Sequence, residues 1–314
     1  MLKRFQYLRW YGDIPSELTM GIYGPVRGYS IKSKVVLATG GGSGIGFAFA
    51  RLCHEKGARV IIGDLKLTPE AQEYVSSQSK SEIVFESCDV TSWESLRNVI
   101  TSAVKAFGEV PDIYAPVAGV LDPSWSNFWD DSEEDSYKTV QININHPIKL
   151  ARLAIRALLS AQKQGVVCLV ASTAGIRGNF FAPLYAATKH AVVGFTKSMG
   201  QADPDEGVKI VCVLPGTVKS NLWEDRDDDV AMATKYSERK LMPPETIADM
   251  MARMVEGDQY SGGTCVLKTI AEERVVEEGW DKAAGKYDPS PRPEADLSHL
   301  KGVLATERGR QWET

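Results

Sequence analysis

KVVLATGGGSGIGFAFARLCHEKGARVIIGD, residues 34–64, is the stretch on which the fold turns. It opens on a short apolar run (34–39), breaks into a glycine cluster, resumes at helical spacing over 44–57 and closes on a second apolar run (58–64). Short apolar runs suit buried strands, and a helix between two of them is the connection that parallel strands require. The turn from strand to helix reads Thr39-Gly40-Gly41-Gly42-Ser43-Gly44-Ile45-Gly46. Glycines there let the backbone turn tightly and approach a pyrophosphate seated on the helix N-terminus. A glycine-rich loop alone says little; its place between a strand and a helix is what points to a nucleotide. Asp64 ends the second strand 18 residues beyond Gly46. A carboxylate there can accept hydrogen bonds from ribose hydroxyls and would repel a 2′-phosphate. No Arg or Lys lies inside the glycine cluster, so NAD is expected over NADP.

The same alternation runs on. Apolar runs at 82–89, 112–119, 165–172, 208–216 and 262–269 are separated by stretches with helical spacing near 69–77, 91–108, 134–163, 184–202 and 244–255. Stretch 91–108 opens on a Thr cap candidate and repeats Leu96, Ile100, Val104 and Phe107. Strands alternating with helices predict an α/β fold: a single doubly wound, Rossmann-type domain with a seven-stranded parallel sheet and helices on both faces. It spans residues 33–270. Residues 1–32 form an N-terminal extension without clear period, and 271–314 a charged tail expected to be loosely attached.

The 314 residues carry a formal net charge of −5, so nothing electrostatic favours nucleic acid. No apolar run nears the roughly 20 residues of a membrane span. The N-terminus has basic residues but no uninterrupted apolar stretch, which argues against a secretory signal, and a cytoplasmic location is expected. Cys53, Cys88, Cys168, Cys212 and Cys265 form no CxxC pair. They read as core thiols, and no metal site is expected.

The chemistry is expected from Tyr185-Ala186-Ala187-Thr188-Lys189. The i, i+4 spacing puts the phenol and the amine on one helical face. A phenol with pKa near 10 is a poor base at neutral pH. A nearby ammonium, helped by the positive nicotinamide of NAD, stabilises the phenolate and makes proton abstraction from an alcohol feasible. Ser172 closes the fifth strand 13 residues earlier, where its hydroxyl can hold the reacting oxygen against Tyr185.

Taken together, TGGGSGIG at 39–46, the acidic end of strand two, CDVT at 88–91, the Ser172/Tyr185/Lys189 set and LPGTVKS at 214–220 resemble the short-chain dehydrogenase/reductase family, over roughly residues 33–270. The resemblance implies that Gly40, Gly44 and Gly46 form the dinucleotide loop with Thr39, Ser43 and Ile45. It implies that Asp64 binds the ribose and that Asp89 and Val90 flank the adenine. Ala118 and Gly119, with Pro215, Gly216, Val218 and Ser220, would surround the rest of the cofactor, beside Tyr185 and Lys189. Asn143, in VQININHP, matches the family's helix asparagine, whose backbone carbonyl holds a water in a proton relay with Lys189. One departure is structural: the family's Asn-Asn-Ala-Gly reads Pro116-Val117-Ala118-Gly119, which removes an amide from the centre of the sheet. The end of the domain, TCVLKTIAEERVVEE, also resembles the 15-hydroxyprostaglandin dehydrogenase-like subgroup and its fungal relatives. That implies NAD-dependent oxidation of a secondary alcohol on a fairly apolar substrate, in specialised metabolism.

Residues 221–243 follow the nicotinamide turn and are expected to form a lid, with Trp223 turned inward to line the substrate. Trp125, Phe128 and Trp129 either line the pocket or anchor their loop. His146 and His190 read as packed helix histidines. A homodimer or homotetramer is expected, as in the family, from the apolar helices containing 151–161 and 191–199. Two other readings keep the fold: a dinucleotide-binding scaffold or regulator without turnover, and a non-redox isomerase or cyclase.

Overall fold

The computed structural model describes residues 24–131, 133–224, 241–277 and 298–308. Its strands are β1 (Val35–Thr39), β2 (Arg59–Asp64), β3 (Ile83–Ser87), β4 (Ile113–Pro116), β5 (Gly165–Val170), β6 (Val208–Pro215), β7 (Cys265–Lys268) and β8 (Glu273–Val275). They form one sheet in the order β3-β2-β1-β4-β5-β6-β7-β8. The first seven run parallel, as the apolar runs predict. The eighth strand is the difference: it adds to the edge antiparallel to β7, inside the charged segment assigned to the tail. All three of its residues are exposed, so no apolar pattern announces it. It is held by backbone pairing and by Glu273, which takes Arg253 at 2.8 Å and Lys268 at 2.8 Å.

The central strands are buried on both faces, which is why they read as continuous apolar runs. Alternate residues serve opposite cores. Val36 and Ala38 of β1 face α1 (Gly44–Glu55) and the helix Pro244–Glu256, while Val35 and Leu37 face α3 (Trp93–Phe107) and the helix His146–Ser160. The short helix α2 (Pro69–Ser77) lies between β2 and β3 in the chain. A turn of helix at Lys138–Val140 passes through a π-helical stretch, Gln141–Asn145, into α4 (His146–Ser160). There follow α5 (Pro183–Ser198), α6 (Ala202–Glu206), α7 (Asn221–Glu224), α8 (Pro244–Glu256) and α9 (Ser298–Glu307).

Both flanking segments touch this core. Residues 24–32, placed by the sequence in an extension, contribute Val26, Tyr29 and Ile31 to the buried interior. The segment is pinned by Val26 N–H to Asp203 (2.8 Å) and Gly28 N–H to Asp258 (2.8 Å). At the other end, Glu307 of α9 accepts from both terminal nitrogens of Arg152 on α4. The apolar residues of 151–161 that suggested a subunit interface, Ala151 to Leu159, are buried within the chain itself. Among the described residues no helix is long and apolar enough to cross a membrane, and the five cysteines are buried thiols.

The chain winds in opposite directions from β1 and β4, which are neighbours in the sheet. Such a reversal opens a crevice at the carboxyl ends of the strands. There Thr39 lies opposite Pro116, where the family carries an amide. His146 on α4 supplies a polar link instead: its Nε2 lies 2.8 Å from the Thr39 hydroxyl and its Nδ1 3.2 Å from the Ile142 carbonyl. The carbonyl can only accept, so Nδ1 carries the proton and Nε2 accepts from Thr39. Burial disfavours the charged ring and pulls the His146 pKa down to about 3 from 6.5. The unfolded chain therefore binds the extra proton first, and stability falls as pH drops below about 6.5. Between about pH 6.5 and 5 the loss should be about 2 kcal/mol. A His146→Gln variant should lose that part of the acid sensitivity in denaturant titrations. Equal acid sensitivity in both proteins would show that His146 is not held neutral.

Candidate active site

The crevice is a cleft of about 990 Å³. The turn after β1 brings Gly40, Ser43, Gly44, Ile45 and Gly46 to its wall; the ends of β2 and β3 bring Asp64, Asp89 and Val90. Ala118 and Gly119 enter from the turn after β4, and Pro215, Gly216, Val218 and Ser220 from the turn after β6. Ser172, Tyr185 and Lys189 line the same cleft. Thr39 and Asn143 are buried residues outside its lining. Trp223 falls in α7, but its side chain lies outside the described residues, as do residues 225–240 of the expected lid.

The glycine turn admits no side chain at two of its positions. A Cβ on Gly46 would overlap the Gly40 carbonyl oxygen, and one on Gly40 (φ +70°) would overlap the Ala118 backbone. The turn is thus folded back onto the helix it feeds. Helices α2 and α3 are capped by Thr68 and Ser92 side chains, whereas Ser43 makes no such bond at α1. The first N–H groups of α1 therefore keep their capacity for an anion. Asp64 is held at the cleft wall by two backbone N–H groups. Its Oδ2 accepts from Gly42 N–H at 2.8 Å and its Oδ1 from Leu65 N–H at 2.7 Å. A carboxylate has about four acceptor positions, so two bonds set its orientation and leave others for a diol.

Tyr185 sits in the first turn of α5, where the nearby Ser172 hydroxyl works to lower the proton affinity of its phenol. Ser172 is held by its own local turn, accepting from Ala174 N–H at 3.2 Å. Lys189, one helical turn on, is 5 % exposed; its Nζ donates to the Val170 carbonyl at 3.0 Å and stands 5.5 Å from the centre of the Tyr185 ring. Burial pulls the Lys189 ammonium down to about 8. The Tyr185 phenol is raised above its ordinary value: burial is the largest cause, the Ser172 hydrogen bond works against it, and the charge of Asp122 adds to it. The sequence led us to expect a phenol lowered by its lysine; burial within the protein instead raises it.

Asn143, in the π-helical stretch, clamps the turn after β4. Its Nδ2 donates to the Val120 carbonyl at 2.8 Å and its Oδ1 accepts from Val120 N–H at 2.9 Å. The same Nδ2 reaches Thr188 Oγ1 at 3.2 Å, and that hydroxyl donates to the Tyr185 carbonyl at 2.8 Å. Sequence reasoning missed this clamp and also missed Asp122, whose Oδ1 accepts from Tyr185 N–H at 2.9 Å. Nothing local signals a bond across 63 residues. It missed Phe180 and Phe181 as well, although a pair of aromatics between Ser172 and Tyr185 was a usable signal. Phe181 and Trp125 line the cleft, both half exposed. Phe128 and Trp129 stack with each other outside it, and Trp129 Nε1 donates to the Phe180 carbonyl at 3.1 Å, so they anchor the rim. His190 bonds the Ala186 carbonyl of its own helix at 2.8 Å.

Residues 34–231 match the family model described as short chain dehydrogenase. Bovine L-fucose dehydrogenase is 28 % identical over 269 residues, covering 83 % of this chain and 95 % of that protein. The 15-hydroxyprostaglandin dehydrogenase [NAD(+)] of Macaca fascicularis is 28 % identical over 256 residues, covering 76 % of this chain and 92 % of its own. The solved structure of an NADPH-dependent 3-quinuclidinone reductase from Rhodotorula rubra superposes with a TM-score of 0.64 at 24 % identity, covering 76 % of this chain and 91 % of that one.

The glycine turn gives a direct check. Gly46→Ala must push the turn off the Gly40 carbonyl, and overpacking of this kind should weaken dinucleotide binding roughly tenfold or more. Equilibrium binding by protein fluorescence on a variant with native circular dichroism measures it. An unchanged dissociation constant would remove the turn from the binding site.

Proposed function

Because the chain belongs to the short chain dehydrogenase family, whose members act as dehydrogenases or reductases with a nicotinamide dinucleotide, we propose that it moves a hydride between NAD and a secondary alcohol or ketone on an apolar substrate. The observation that carries the reading is the convergence of Ser172, Tyr185 and Lys189 on one cleft with the glycine turn and Asp64. When bound, the oxidised dinucleotide supplies the hydride acceptor and a positive charge beside the phenol. The protein's residues do the rest. Ser172 holds the substrate oxygen against Tyr185. Tyr185 takes the hydroxyl proton in the oxidation and returns it in the reduction. Lys189, with its pKa near 8, exchanges protons close to neutrality. Asn143 would hold a relay water with its backbone carbonyl, and a π-helical stretch, which shifts carbonyls away from their ordinary partners, supports that role.

NAD is favoured by Asp64, a fixed carboxylate that would meet a 2′-phosphate with like charge. An apolar substrate is favoured by Trp125 and Phe181, which offer large uncovered ring surface at the cleft wall. Five buried thiols fit a reducing compartment, and the cytoplasm is the proposed location.

The test is to incubate the protein with NAD and a panel of apolar secondary alcohols and follow reduced nicotinamide by absorbance. Tyr185→Phe should lower kcat roughly 10²–10⁴-fold and leave NAD affinity nearly unchanged. A variant keeping more than about a tenth of the wild-type rate would contradict the acid–base role. Wild-type protein should bind NAD more tightly than NADP, and Asp64→Ala should narrow the gap; equal affinities in the wild type would refute the reading of Asp64.

A further inference from the structure

Asp122 lies three residues beyond Gly119, in the turn that leaves β4, and it is buried at 3 % exposure. Its backbone takes a φ of +31°, in the left-handed region that L-residues rarely occupy. The next residue is Pro123, and a residue before proline normally stays extended. Local preference therefore opposes this conformation twice over, and the surroundings must impose it. Those surroundings are on the page. Asn143 grips Val120 by both its N–H and its carbonyl. Asp122 Oδ1 in turn accepts the Tyr185 N–H at 2.9 Å.

That N–H belongs to the first turn of α5, where backbone donors have no partner within the helix. Ala182, at the cap position, offers no side-chain acceptor, and Pro183 has no N–H to satisfy. The capping group therefore comes from 63 residues away, and it is attached to the tyrosine residue itself. A carboxylate is also the charge that a helix N-terminus favours.

We infer that Asp122 is a positioning residue: by capping α5 at Tyr185 from the strained turn after β4, its carboxylate sets where the phenol stands in the cleft. The inference rests on the acid–base role proposed for Tyr185. Asp122 has a second effect of definite sign, since its negative charge adds to the proton affinity of the phenol. The other groups around the phenol are Ser172 from the turn after β5 and Lys189 on α5, with Arg177 lining the same cleft from the loop between β5 and α5.

Two variants separate the effects. Asp122→Ala removes the acceptor. It should lower kcat about tenfold or more, while NAD affinity, governed by the glycine turn, stays within about twofold. Asp122→Asn keeps an acceptor oxygen and removes the charge. It should keep most of kcat and shift the acid limb of the kcat–pH profile for alcohol oxidation to lower pH, by about half a unit to one unit. A merely structural residue would not move that limb. Asp122→Ala with more than about half the wild-type kcat, or Asp122→Asn with an unmoved limb, overturns the inference. If Asp122→Ala proves too unstable to assay, the limb of Asp122→Asn decides alone. Failure here with Tyr185→Phe inactive leaves the proposed function standing; an active Tyr185→Phe takes both down.

Discussion

One amide side chain holds the chemical end of this chain together. Asn143 bonds both the N–H and the carbonyl of Val120, and through Thr188 it reaches the Tyr185 carbonyl. The turn after β4 has no regular structure of its own, yet it lies between the glycine turn and the helix that carries Tyr185 and Lys189. A buried amide with both N–H donors and its oxygen engaged is a stiff connector, because leaving any of those groups unpaired in the interior costs about 1–3 kcal/mol. The π-helical stretch that carries Asn143 fits this purpose, since an extra residue in the turn re-aims a side chain without ending the helix. The turn after β4 and the helix of Tyr185 and Lys189 are thereby tied together, which favours precise positioning of the phenol.

The electrostatics of the cleft follow from the burial of its lysine and phenol. Burial lowers the Lys189 ammonium to about 8 and raises the Tyr185 phenol, so two groups of nearly equal ordinary proton affinity are driven apart, and the amine gives up its proton before the phenol. Neighbours within the protein modulate this: the Ser172 hydroxyl stabilises the phenolate and Asp122 opposes it.

Much of this was legible in the residues, for a physical reason. Strands buried on both faces leave continuous apolar runs, and a turn that touches its own helix admits only glycine, as at Gly46. What was hidden lacks such a signature. β8 is three exposed residues held by an edge ladder and the charges of Glu273, so composition disguises it as tail. Val26 and Ile31 are too few to make a period, yet both are fully buried. His146 reads as a helix residue, and only the fold reveals that it reaches Thr39, opposite Pro116 where the family's amide is missing. In the cleft, residue types and spacing pointed to the Ser172, Tyr185 and Lys189 set. The partners that orient them, Asp122 and the Asn143 side chain, act across distances that sequence spacing does not encode.

The central claim is that these residues serve hydride transfer to a dinucleotide. The direct measurement uses apolar secondary alcohols deuterated at the carbinol carbon, incubated with the protein and NAD, with both products examined by mass spectrometry and NMR. The account predicts a ketone without the label and reduced nicotinamide carrying one deuterium at C4. Deuterium kept in the organic product or lost to water, with no reduced cofactor formed, would contradict it.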